Sequence, residues 1–165
     1  MITGSGQGIG AAAARLFAQQ GAAVLVSDLD AAKANAVAAE IRQHGGRAAS
    51  LAGDVTSADF GERLVKAAVD AFGGTIDILI NNAGFTWDGV IHKMTQEQWQ
   101  AMLDVHCTAP FRIIQAAAPV MRDPGKAQLA RGEQPTPRYI INVSSVSGTR
   151  GSAGQANYAT VCCWV

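Results

Sequence analysis

Four glycines fall within eight positions in Thr3-Gly4-Ser5-Gly6-Gln7-Gly8-Ile9-Gly10, which runs straight into an alanine-rich segment. Glycines at this density let the backbone turn tightly and come close to a phosphate. The helix that follows offers unpaired amides at its positive end. The chemistry is the grip of a pyrophosphate by Gly4, Ser5, Gln7, Gly8, Ile9 and Gly10. Taken alone, the run fits a plain structural turn as well. Asp28 follows Gly10 by eighteen residues and ends an apolar run, near the spacing at which a carboxylate holds a ribose hydroxyl. Alone, such an acid is as readily a turn carboxylate. Together the two features point to a bound dinucleotide.

The elements that must position these residues follow from periodicity. Short apolar runs at Ala23–Ser27, Ala48–Leu51, Ile76–Ile80 and Tyr139–Val143 predict strands, several of them apolar enough to be covered on both faces. Between them, Ile9, Ala13, Leu16, Phe17 and Gln20 keep helical spacing up to Gly21. Asp30 is placed to cap a helix that stops at Gly45-Gly46. Phe60, Leu64, Ala68 and Phe72 line a third helix, stopped at Gly73-Gly74. Thr95 and Gln98 form a capping box for a longer helix through Arg122, with Pro110 as a kink and Pro124 as its end. Asp123–Arg138, polar and holding three prolines, reads as a surface loop. Strands alternating with helices predict an α/β chain with a parallel, doubly wound sheet.

Composition narrows the function classes. Thirteen basic and thirteen acidic residues leave no net charge, and no basic stripe marks a nucleic-acid partner. No apolar run is long enough for a membrane span. Three cysteines make no disulfide framework and lack the company of a metal site, so a reducing, cytoplasmic setting is expected. Eighteen glycines and 31 alanines suit helices lying close on a sheet. One domain over residues 1–165 accommodates the whole pattern.

Four motifs, in order along the chain, resemble the short-chain dehydrogenase/reductase family. Thr3–Gly10 is similar to its glycine loop, Asp54-Val55 to its adenine-contacting pair, Asn81-Asn82-Ala83-Gly84 to the segment after its fourth strand, and Asn142-Val143-Ser144-Ser145 to that at its fifth. Gly151–Tyr158 looks most like the 3-oxoacyl-[acyl-carrier-protein] reductases and the (3R)-hydroxyacyl-CoA dehydrogenase domains. The resemblance implies a Rossmann-type sheet and NAD- or NADP-dependent interconversion of a ketone and a secondary alcohol, on a 3-oxoacyl/3-hydroxyacyl thioester. It implies Asp54, Val55, Asn82, Ala83 and Gly84 as cofactor contacts beside the glycine loop. Full-length relatives commonly form homo-oligomers. Ser145 and Tyr158 stand thirteen residues apart, as in the family's catalytic pair, with Tyr158 as proton donor or acceptor and Ser145 bonding the substrate oxygen. NAD rather than NADP is expected, because Asp28 repels a 2′-phosphate and neutral Gln7 stands where NADP-using relatives carry a base.

The chain also departs from the family's pattern. Cys162 occupies the position of the lysine that lowers the tyrosine pKa, and Cys162–Val165 does not match the family's continuation. His106 aligns with an active-site asparagine, a variation that the β-oxidation-type relatives share. Only Met1-Ile2 precede Thr3, and the family's later strands and substrate-covering helices have no counterpart, so truncation at both ends is expected. The competing expectation is therefore a catalytically inactive relative that binds a dinucleotide or a partner.

Overall fold

The computed structural model describes residues 1–163, so Trp164 and Val165, the end of the unmatched stretch, lie outside the described residues. Helix α1 (Gly8–Gln19), strand β1 (Ala23–Asp28), helix α2 (Ala31–Gln43) and strand β2 (Arg47–Ala52) come first. Helix α3 (Phe60–Phe72) and strand β3 (Ile78–Asn81) follow. Beyond a 3-10 turn at Ile91–Lys93 come α4 (Gln96–Leu103), a π turn (Asp104–Thr108) and α5 (Ala109–Ala130). Strand β4 (Tyr139–Asn142) and helices α6 (Val146–Arg150) and α7 (Ala156–Cys162) complete the described chain.

Strands β1 and β2 pair in parallel, as do β3 and β4. Ile2 bridges Val26 on one side and Ile80 on the other, so Met1–Thr3 join the pairs into one sheet in the order β2, β1, Met1–Thr3, β3, β4. This is the doubly wound α/β arrangement expected of the alternation. Side chains alternate across it. Ile2, Val24 and Val26 pack with Ala11, Ala14, Ala18, Val37 and Ile41 of α1 and α2. Met1, Leu25 and Leu79 pack on the other face with Phe60, Leu64, Ile113 and Met121 of α3 and α5.

Local signals fall where the sequence put them. Asp30 accepts hydrogen bonds from the Ala32 and Lys33 amides and starts α2. Thr95 and Gln98 form the reciprocal capping box of α4. Three expectations need correction. The α1 face marked by the spacing is buried only in part, through Ala13 and Phe17. Ile9 and Leu16 are 76% and 57% exposed, while Ala11, Ala14 and Ala18 face the sheet and let the helix lie close to it. Pro124 does not end its helix, and the expected loop begins only after Ala130. A proline removes the donor for the carbonyl four residues earlier. Here that carbonyl, Val120 O, accepts from Thr75 Oγ1 at 3.1 Å, so the helix continues. Finally, β4 is not covered on both faces. Tyr139, Ile140 and Ile141 are 57%, 43% and 42% exposed on a strand that pairs only with β3 among the described residues. No helix among the described residues is long and apolar enough to cross a membrane.

Candidate functional site

The glycine loop sits at the carboxyl ends of β1 and β3, tied down from both sides. Ser5, fully buried, receives the Ser27 amide on its hydroxyl at 3.0 Å and donates to Ile2 O at 2.7 Å. Its side chain therefore faces the sheet, and only its backbone is left for a ligand. Thr3 Oγ1 accepts from the Asn82 and Ala83 amides at 3.1 and 3.0 Å. Asn82 Nδ2 in turn donates to Thr3 O and Gly4 O, both at 3.0 Å. Asn82 and Ala83 thus shape the loop. Gly4 holds φ +61°, and a β-carbon on it would lie 2.7 Å from Ala83 Cα. A β-carbon on Gly10 would meet Gly4 O and lie 2.5 Å from Asn82 Nδ2. Only glycine fits at these two crossings.

The outer half of the loop is open. Gln7, Gly8 and Ile9 are exposed, and no side chain caps the first turn of α1. That turn presents free amides beside a glycine cradle, so the residues fit a pyrophosphate. At the end of β1, Asp28 Oδ2 accepts from the Gly6 amide at 2.8 Å and Oδ1 from the Asp30 amide at 3.1 Å. Each oxygen keeps a further lone pair for a ribose hydroxyl. Sequence reasoning missed Lys33, whose Nζ donates to Gln7 Oε1 at 2.8 Å and so brings a cation to this edge. No spacing rule pointed to it, because α2 folds it back over the loop. Asp54 accepts from the Thr56 amide and hydroxyl, both at 2.8 Å, and Val55 packs on the α3-side core. The pair forms a turn at the end of β2.

On the far side of the cleft, Ser145 caps α6, its hydroxyl accepting the Ser147 amide at 3.2 Å. Tyr158 lies on α7, and its ring meets that of His106 edge-on with centroids 5.2 Å apart. His106 belongs to the π turn, an irregularity frequent at functional positions. Its Nε2–H donates to Phe85 O at 2.9 Å, and burial lowers its pKa, which keeps the ring neutral. A β-carbon on Gly84 would strike that ring, so Gly84 makes room for His106. Tyr158 thus lies against the His106 ring, with the Ser145 side chain acting on its phenol.

The tyrosine's surroundings push the wrong way for proton abstraction. Burial, followed by the neighbouring Cys162 thiol, raises the Tyr158 pKa above its ordinary value, and Ser145 opposes this only in part. Cys162 is buried, and its carbonyl accepts from Ser144 Oγ at 2.7 Å. Asn157 was also missed. Fully buried, it donates to Trp87 O and Gln98 O, both at 3.1 Å, and its Oδ1 accepts the Tyr158 amide at 2.8 Å. It locks the start of α7 to the loop after β3. Its place directly before Tyr158 was the available signal.

Comparison with known proteins agrees with this geometry. Residues 1–161 match a family model described as short chain dehydrogenase. The chain is 37% identical over 163 residues to the peroxisomal hydratase-dehydrogenase-epimerase of Neurospora crassa, covering 99% of this chain and 16% of that protein. It is 38% identical over 160 residues to the 3-oxoacyl-[acyl-carrier-protein] reductase of Synechocystis sp., covering 96% of this chain and 60% of that protein. A short chain dehydrogenase from Mycobacterium avium superposes with TM-score 0.85 at 34% identity, over 98% of this chain and 57% of that structure. The chain thus spans less than two-thirds of each of these relatives.

Proposed function

Because the chain belongs to the short-chain dehydrogenase family, we propose that its cleft binds NAD and is laid out to interconvert a ketone and a secondary alcohol. The substrate class we assign is a 3-oxoacyl or 3-hydroxyacyl thioester, in line with the names of its relatives. The observation that carries this is Tyr158 beside His106 and Ser145, with Gly84 against His106 and Ala83 against Gly4 of an uncapped glycine loop. When bound, the nicotinamide supplies or accepts the hydride. Tyr158 hands its phenolic proton to the carbonyl oxygen in reduction and takes it back in oxidation. Ser145 Oγ–H bonds the same oxygen and offsets its developing charge. Neutral His106 buttresses the Tyr158 ring.

On this reading, turnover by the chain should stay at background. An ordinary phenol is ionised to about one part in a thousand at neutral pH. Here its pKa is raised further, and Cys162 brings no positive charge. The site therefore retains cofactor binding without an effective proton-transfer group. This unites the two sequence-based expectations, since the layout is that of a reductase and its chemistry is disabled.

For the cofactor, the Asp28 carboxylate favours the ribose of NAD and repels the phosphate of NADP, and Lys33 softens that repulsion. A difference of about 1.4 kcal/mol corresponds to tenfold preference. NAD(H) should protect the protein thermally more than NADP(H) at equal concentration, and Asp28→Ala should narrow the gap. Equal or greater protection by NADP(H) in the unmutated chain overturns the assignment.

A further inference from the structure

Three segments are joined at the start of α7. Helix α6 begins at Ser145, α7 carries Tyr158, and the loop after β3 presents Phe85 O to His106 Nε2. Gln155 bonds the first and third of these and opens the second. Its Oε1 accepts from Ser147 Oγ of α6 at 2.9 Å, and its Nε2 donates to both carboxylate oxygens of Asp88 at 3.2 Å. Its own backbone begins α7, three residues before Tyr158.

A short polar side chain at the first position of a helix ordinarily turns back on the helix amides. Gln155 makes no such cap bond and spends both ends of its amide elsewhere, the acceptor toward α6 and the donor toward the loop. The backbone alongside supports this use. The Gly89 amide donates to Gly154 O at 2.7 Å, and Gly89 and Gln155 form a parallel bridge. Gln98 Nε2 reaches Asp88 O at 3.4 Å, which steadies the loop from α4. On the other side, the Ser147 amide donates to Ser145 Oγ at 3.2 Å. A run of hydrogen bonds therefore leads from Asp88 through Gln155 and Ser147 to the Ser145 hydroxyl. Because that oxygen accepts from Ser147, the Ser145 hydroxyl proton is left to point at another acceptor.

We infer that Gln155 is a positioning residue that sets Ser145 against Tyr158, because its amide ties the Ser147 hydroxyl to Asp88 and so fixes the start of α6 relative to α7. The role rests on the Ser145–Tyr158 pair proposed above. Two demands meet at position 155, a donor for Asp88 and an acceptor for Ser147. Alanine meets neither, and glutamate meets only the second. Ser144 Oγ fastens the far end of α7 through Cys162 O, whereas Gln155 fixes the end from which Tyr158 projects.

The test labels the protein with fluorotyrosine and follows the ionisation of Tyr158 by fluorine NMR, with the exposed Tyr139 as internal control. Ser145→Ala removes a hydroxyl that lowers the Tyr158 pKa, so the Tyr158 transition should move up in the parent. In Gln155→Ala, the same change should move it less than about half as far, while the Tyr139 transition stays in place. Gln155→Glu sets a carboxylate against that of Asp88 and should show the same loss. Gln155→Glu combined with Asp88→Asn exchanges donor and acceptor at unchanged net charge, and should restore the full shift. Each comparison is between a variant and its Ser145→Ala counterpart, so the direct effect of a moved charge cancels. An undiminished shift in Gln155→Ala, or no recovery in the exchanged pair, overturns the inference and leaves the Ser145–Tyr158 pair standing. No shift in the parent overturns that pair and the inference with it. Should Gln155→Ala fail to fold, Gln155→Glu and the exchanged pair decide on the same terms.

Discussion

The two walls of the cleft carry equally recognisable motifs and are supported very differently. On the cofactor side, Ser5, Thr3 and Asn82 tie the glycine loop to β1 and β3 through bonds spanning 22 to 80 residues of sequence. The strands beneath are buried on both faces. On the side proposed for catalysis, Ser145 caps a five-residue helix, and the apolar side chains of β4 are partly exposed. Motif identity records ancestry, whereas burial and cross-sheet bonding decide whether a motif is held in working geometry. Under the roles proposed above, the wall assigned to the cofactor is the better supported, and the wall assigned to proton transfer the weaker.

The largest effect that sharpens this contrast is on stability. Phe60, fully buried in the α3-side core, should cost about 3–5 kcal/mol on replacement by alanine. Ile141→Ala on β4 should cost only about 1 kcal/mol, because that side chain is already 42% exposed. Urea denaturation of both variants checks this, and comparable losses would erase the distinction between the walls.

Next comes pH. The Met1 amine has an ordinary pKa of 8.0, lowered to about 6 in the fold, so the unfolded chain binds more protons between those values. Stability is therefore full above pH 8 and declines as pH falls through 6. The whole effect amounts to about 2.7 kcal/mol at most, with the opposing pull of Asp77 already included. Thermal melts from pH 5.5 to 8.5 should show Tm rising with pH. A flat profile would mean that the Met1 seat opens to water.

The smallest expected change in turnover belongs to the substitution that looks most corrective. Cys162→Lys should lower the Tyr158 pKa, visible as an earlier ultraviolet tyrosinate transition. Reductase turnover should nevertheless stay at background, since the reacting groups lie beside a solvent-exposed strand. Rescue by that one change would make the exposed wall irrelevant.

Much of this was legible in the sequence, for reasons that differ by residue. Caps at Asp30 and Thr95 and the glycine crossings at Gly4 and Gly10 depend on neighbours a few residues away or on backbone shape, and both leave a mark in the local pattern. Pro124 did not, because the carbonyl it orphans is satisfied by Thr75, 45 residues upstream of Val120. The outward turn of Ile9 and Leu16 reflects a sheet that accepts small side chains at close range, a tertiary demand that periodicity cannot register. Ser5 was read as a ligand contact from its motif, yet its hydroxyl completes the junction of loop and strand. Lys33 and Asn157 were missed because each bonds residues far away in sequence, Lys33 reaching Gln7 and Asn157 reaching Trp87 and Gln98.

The most direct test is a titration of the protein with NADH, followed by fluorescence, with a short 3-oxoacyl thioester added at saturation. The account predicts saturable enhancement, at least about tenfold tighter for NADH than for NADPH, and no decay of the signal after the thioester is added. Absence of binding, or a decay that Tyr158→Phe abolishes, would contradict it.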